Sequence, residues 1–174
     1  MYVGFGGGVM SKCYIGVDNG VSGTVAIIST DGARFEPTPV IEVFDYASSK
    51  GKKIHRIDYQ KLFELLDSCE TKQDIKVVME RPLKNPKLFA ASISAARAFE
   101  VTLLAVQNLG YAFEVIDSRK WQKYFFPAVK GKDELKKASM QKGLELFPHL
   151  KNFITTHKDA DGLLIAEWAK RNNL

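Results

Sequence analysis

The chain has 174 residues, 45% of them hydrophobic, with a formal net charge of +5 and a pI near 9.1. This is enough for one domain with a core of its own and too little for a second large one. No apolar run approaches a membrane span in length, and Cys13 and Cys69 show neither metal-type spacing nor a disulfide framework, so a cytoplasmic protein with no membrane partner is expected. The basic balance favours a polyanionic partner without identifying one.

Residues 1–11 read as a flexible extension: MYVGFGGGVMSKC has no Lys or Arg before Lys12, its apolar part is broken by glycines, unlike a signal peptide, and Met10 is an alternative start. Residues 14–28, YIGVDNGVSGTVAII, form the opening hairpin. A buried strand ends at Asp18, a polar turn follows (Asn19, Gly20, Ser22, Gly23), and a second apolar strand begins at Thr24. Aspartate is a poor strand residue and costly to bury, so its position calls for a metal, a phosphate site or a turn hydrogen bond. Asp31-Gly32 is a turn signal. A third strand is expected over residues 40–46, approached through Pro37 and Pro39, and residues 47–56 (ASSKGKKIHR) read as a mobile loop in which His55 is solvated.

Residues 58–68 have a helical period with Asp58 as N-cap, and residues 75–80 (IKVVME) make a strand buried on both faces that ends in Glu80. Strand, helix, strand implies a crossover and parallel pairing, which would bring Asp18 and Glu80 to the same side of the sheet. The plain alternative for Glu80 is an ion pair with Arg81 or a nearby Lys. Residues 87–109 form one long Ala-rich helix ending at Gly110, either a core helix or the seam of a dimer.

A fifth strand spans residues 111–116, followed by DSRKWQKYFFP. There Arg119, Lys120 and Lys123 interleave with aromatics, a mixture suited to phosphate contacts, while Trp121, Phe125 and Phe126 read as core. The loop at 129–134 and a helix over 134–146 gather Lys130, Lys132, Lys136 and Lys137. A last helix begins near Asp159. Asp159 fits a helix cap, whereas Asp161, just before the apolar run, fits one less well; His157 precedes both.

Three distant segments thus present Asp18, Glu80 and Asp161 at the edge of core structure, with Asp159 or His157 as a fourth. Oxygen-rich clusters of this kind suit Mg²⁺ or Mn²⁺, and two such ions about 4 Å apart can activate water and stabilise a leaving oxygen at a phosphodiester.

The set IGVDNGVSGTVAII, VVMERP and HKDADGLLIAEWA, separated by the long helix and by SRKWQK, ELKKAS and LFP, resembles the RuvC-like Holliday junction resolvases of the RNase H superfamily, particularly their bacteriophage members, over residues 12–171. The resemblance implies an α/β fold with an RNase H-like mixed five-stranded sheet flanked by helices, residues 12–174 as a single nuclease domain, and a homodimer. It also implies hydrolysis of four-way or other branched DNA with two Mg²⁺, for which Mn²⁺ substitutes, in the cytoplasm of a bacterial host if the chain is phage-encoded. By position Asp18, Glu80 and Asp161 match the family's acids. Arg119 to Lys123 and Lys136 match its basic stretch, to which the reading of residues adds Lys130 and Lys132.

Two positions depart from the family. Three residues before Asp161 stands Lys158, so Asp159 is preferred as the fourth oxygen ligand with His157 as alternative. Three residues after Glu80, where an aromatic wedge is usual, stands Leu83, with Phe89 a possible substitute. The rival readings are a catalytically silent junction- or RNA-binding module of the same fold, and an actin-like or sugar-kinase-type ATPase using Asp18, Gly20 and Gly23 as a phosphate loop, which would need two lobes.

Overall fold

A computed structural model describes residues 12–46, 48–69, 74–82 and 84–174; the expected extension at 1–11 and the wedge position Leu83 lie outside them. The chain opens with β1 (Cys13–Val17), β2 (Thr24–Ser29) and β3 (Gly32–Pro37), an antiparallel meander. Next come β4 (Val40–Phe44) and β5 (Lys53–Ile57), which pair only with each other, and α1 (Tyr59–Asp67). Then β6 (Ile75–Glu80) runs parallel to β1, α2 (Phe89–Asn108) follows a single 3-10 turn, and β7 (Ala112–Ile116) runs parallel to β6. Four helices close the chain: α3 (Ser118–Phe125), α4 (Lys132–Leu146), α5 (Lys151–His157) and α6 (Asp161–Arg171). The main sheet has the order β3-β2-β1-β6-β7, mixed and five-stranded as expected.

Because β1 and β6 are central, both faces are covered, which is why they read as continuous apolar runs. Ile15 and Val17 face α1 and α2 together with Val77 and Met79, while Tyr14 and Val78 face α6. Local signals set the helix ends. The Asp58 carboxylate accepts from the Lys61 N–H at 3.2 Å, and Gly110 adopts φ 69° just past α2, where a β-carbon would be strained.

Several expectations are corrected. The third strand of the sheet is β3, not residues 40–46: it is an edge strand with only Phe35 buried, so its alternation is mostly polar and ends in a proline. Residues 40–44 instead pair with 53–57, part of the stretch expected to be a mobile loop; Lys53, His55 and Arg56 fall on both faces of β5, so its Ile54 and Ile57 show no apolar alternation. Helix α5 was not anticipated, and the last helix starts at Asp161 rather than near Asp159.

The two cysteines, expected to be unpaired, stand sulfur to sulfur as a disulfide, with Cα atoms 7.2 Å apart. They are 56 residues apart, and only the packing of α1 on the sheet reveals the pair. Finally, Pro86–Asn108 is long and apolar enough to cross a membrane by length and composition, contrary to the expectation that no run approaches a span. It carries Arg97 and Glu100, and Ala98, Thr102, Ala105 and Val106 pack it into the molecule. Its first half is largely open, with Phe89 70% exposed.

Candidate active site

Parallel pairing sets the first two acids side by side. Val17 is in register with Met79, so Asp18 and Glu80 leave adjacent strands at the same carboxyl edge of the sheet. The Asp18 N–H donates to the Thr24 carbonyl at 3.0 Å, closing the hairpin mouth and fixing the residue there. The third acid arrives because α6 lies unusually close to β1. A β-carbon on Gly16 would collide with the Gly162 carbonyl and the Ala166 nitrogen, and one on Gly162 would come within 2.9 Å of Thr24. The Gly162 N–H also donates to Thr24 Oγ1 at 3.2 Å, so the first turn of α6, headed by Asp161, is pinned beside Asp18.

The charges register this proximity. Burial, followed by the charges of Asp161, Glu80 and Asp159, holds the Asp18 carboxyl well above its usual range, with Lys136 opposing. Burial pushes Glu80 up to about 7, opposed by a hydrogen bond from Trp121 and reinforced by Asp161 and Asp117. Burial likewise pushes Asp161 up to about 6 against a hydrogen bond from Ser139, with Asp159 raising it and Lys136 lowering it. Asp159 is raised by burial and drawn down by the Asp161 N–H, Lys136 and His157.

The four carboxylates are electrostatically coupled, and three of them are turned to donors of their own. Trp121 Nε1–H donates to Glu80 at 3.0 Å, the Ser139 hydroxyl donates to Asp161, and Asp159 accepts from the Asp161 N–H at 3.3 Å. Among the described residues, no three His, Cys, Asp or Glu side chains are placed so that together they could hold a metal ion. The donor set nonetheless fits a hard divalent cation: it is all carboxylate oxygen, and its mutual repulsion is what such an ion would relieve.

The alternative fourth ligand, His157, ends α5; its ring stands edge-on to Phe35 with centroids 5.8 Å apart, and Lys158 in the left-handed region breaks the helix before Asp159. Glu80 does not pair with Arg81, which instead stands 3.9 Å from Asp117.

The basic residues divide. Lys132 and Lys136 line a cavity of about 470 Å³ with Trp121, Phe126, Asp159 and Asp161. Lys123 and Lys130 are exposed. Arg119 is engaged with Asp117 at 2.9 Å, and Lys120 pairs with Glu114 at 3.0 Å and lies 5.0 Å from the centre of the Trp168 ring, so these two are held at the end of β7.

No family model matches this sequence, and no curated protein does. Among solved structures, Thermus thermophilus RuvC in complex with a Holliday junction substrate matches at 15% identity and TM-score 0.52, over 92% of this chain and 95% of that one. A further Thermus thermophilus RuvC structure matches at 13% identity and TM-score 0.48, over 92% of this chain and 96% of that one. The fold is RuvC-like.

On this RuvC-like fold, two residues that touch the acids escaped sequence reasoning. Trp121 reads as a core residue and is buried as one, yet its N–H donates to Glu80. A buried indole N–H needs an acceptor, and that requirement was the available signal. Ser139 is a buried polar residue on the inner face of α4, one turn before Gly143, whose missing β-carbon lets α4 meet Ala160. A serine and a glycine four residues apart on one helical face mark a close approach, though not what is approached.

Proposed function

We propose that this chain is a Mg²⁺-dependent structure-specific endonuclease that hydrolyses phosphodiester bonds in four-way or other branched DNA, with residues 12–174 as one nuclease domain working as a homodimer. What supports the reading is the electrostatic coupling of Asp18 with Glu80 and Asp161, acids from three distant segments, on a RuvC-like fold. Asp18, Glu80, Asp161 and Asp159 would hold two Mg²⁺ ions, or Mn²⁺ in their place. The bound metal supplies Lewis-acid neutralisation of the scissile phosphate and a water acidified enough to attack it.

The chain's own groups do the rest. Trp121 and Ser139 orient Glu80 and Asp161 by hydrogen bonds, and burial keeps the acids in a setting where electrostatic interactions are strong. Lys136 adds a positive charge beside the carboxylates, and Lys132 stands with it on the cavity wall, where both can contact phosphates flanking the scissile one; exposed Lys123 and Lys130 extend the basic surface. The exposed Leu104, in the second half of α2, supplies a contact for a second subunit.

A gel assay with synthetic four-way, Y-shaped and linear duplex DNA in Mg²⁺ tests the reading: branched substrates should be cut and the linear duplex spared. Binding without cleavage, and no Mg²⁺-dependent rise in melting temperature, would instead mark a silent junction-binding module.

A further inference from the structure

The acid edge of the sheet has a second flank. On the face opposite the cavity of Lys132 and Lys136, a groove of about 260 Å³ lies between β5 and the first half of α2, with Ile54, Ile57, Ile93 and Ala98 among its apolar lining. Lys52, His55 and Arg56 reach it from the hairpin and Arg97 from the helix, against one lining carboxylate, Asp45. Lys52, Arg56 and Arg97 outnumber the single lining carboxylate, so the groove carries a net positive charge that attracts an anionic ligand.

The loop that leaves the acid site also borders the groove. Val21, from the loop that follows Asp18, forms part of its wall, and Asn19 Nδ2 donates to the Ala95 carbonyl at 3.1 Å, tying that loop to α2 two residues before Arg97. The acids therefore stand between two basic surfaces, one on each side of the sheet.

We propose that this groove is a second phosphate-binding surface, in which Arg56 and Arg97 grip the DNA backbone beyond the acids, so that a strand crossing the sheet edge is held on both flanks. The inference rests on the nuclease reading and adds to it a contact that the resemblance does not assign. Arginine suits the role because its fork binds phosphate oxygens in pairs and keeps its charge at every accessible pH.

The test is a salt titration of the full chain by fluorescence anisotropy, using a labelled four-way junction and a linear duplex in EDTA so that nothing is cut. The double variant Arg56→Ala/Arg97→Ala should make the slope of log affinity against log salt shallower by about two for the junction. Arg56→Lys/Arg97→Lys should keep the wild-type slope.

Because Arg56 is half-buried, Arg97→Glu alone at its exposed position serves as a second variant, and it too should flatten the slope. Slopes unchanged in both the double variant and Arg97→Glu, with wild-type binding intact, overturn this inference and leave the nuclease reading standing. An altered mass by light scattering with an unchanged slope also overturns it, by making the groove a contact between protein copies. A wild-type chain that binds neither DNA removes the nuclease reading and this inference together.

Discussion

Gly16 in β1 and Gly162 in α6 meet with no room for a β-carbon between them, and this contact sets how near Asp161 comes to Asp18. The obstructing atoms are backbone, which cannot swing aside as a flexible side chain can. Gly16→Ala should therefore destabilise the protein by about 1–3 kcal/mol through overpacking and push α6 away from the sheet. Urea unfolding measures the first effect. Cleavage should fall further than stability accounts for, since the helix carries one of the acids.

Asp18 has the most crowded charge in the site, with three carboxylates raising its pKa. Asp18→Asn removes that repulsion with little change of shape. Cleavage of a four-way junction should be abolished, junction binding should stay near wild type, and the melting temperature without divalent cation at pH 8 should rise. A variant that still nicks the junction in Mg²⁺ would refute its assigned role.

Glu80 and Asp161 have pKa values of about 7 and about 6, above their ordinary 4.5 and 3.8. Between each pair of values the folded protein binds more protons than the unfolded chain. Their contribution is thus most favourable at acid pH and is lost as pH rises from about 4 to about 7. Asp117, held down to about 2 by Arg119, acts in the opposite sense, but only below pH 4. Chemical denaturation from pH 4 to 8 in EDTA should show this decline. Glu80→Gln, which still accepts from Trp121, should flatten it and add up to about 3 kcal/mol at pH 8.

Trp121→Phe separates the hydrogen bond from the packing. The ring still fills the core beside Phe126, but Glu80 loses its donor and its pKa should rise above about 7. The acid limb of the cleavage–pH profile should move to higher pH, with the alkaline plateau reduced only modestly. A purely structural tryptophan would lower stability and leave that limb in place.

Some of this was written locally. The β1–β2 hairpin with Asp18 at its mouth, the Asp58 cap, β6 ending in Glu80 and the Gly110 stop at α2 each depend on signals within a few residues, and all are found where the sequence indicated. Asp18, Glu80 and Asp161 could be named as candidates for the same reason: a carboxylate next to an apolar run is conspicuous wherever the chain later goes.

Other features were decided only by the tertiary structure. Whether residues 32–37 or 40–44 would extend the main sheet depended on which strand found β2, and both are short and half-polar. The Cys13–Cys69 pair, Trp121 on Glu80 and Ser139 on Asp161 join residues 56, 41 and 22 positions apart. A residue's own neighbours in sequence report whether it prefers burial; they carry no information about which distant donor or carboxylate will meet it once the helices close over the sheet.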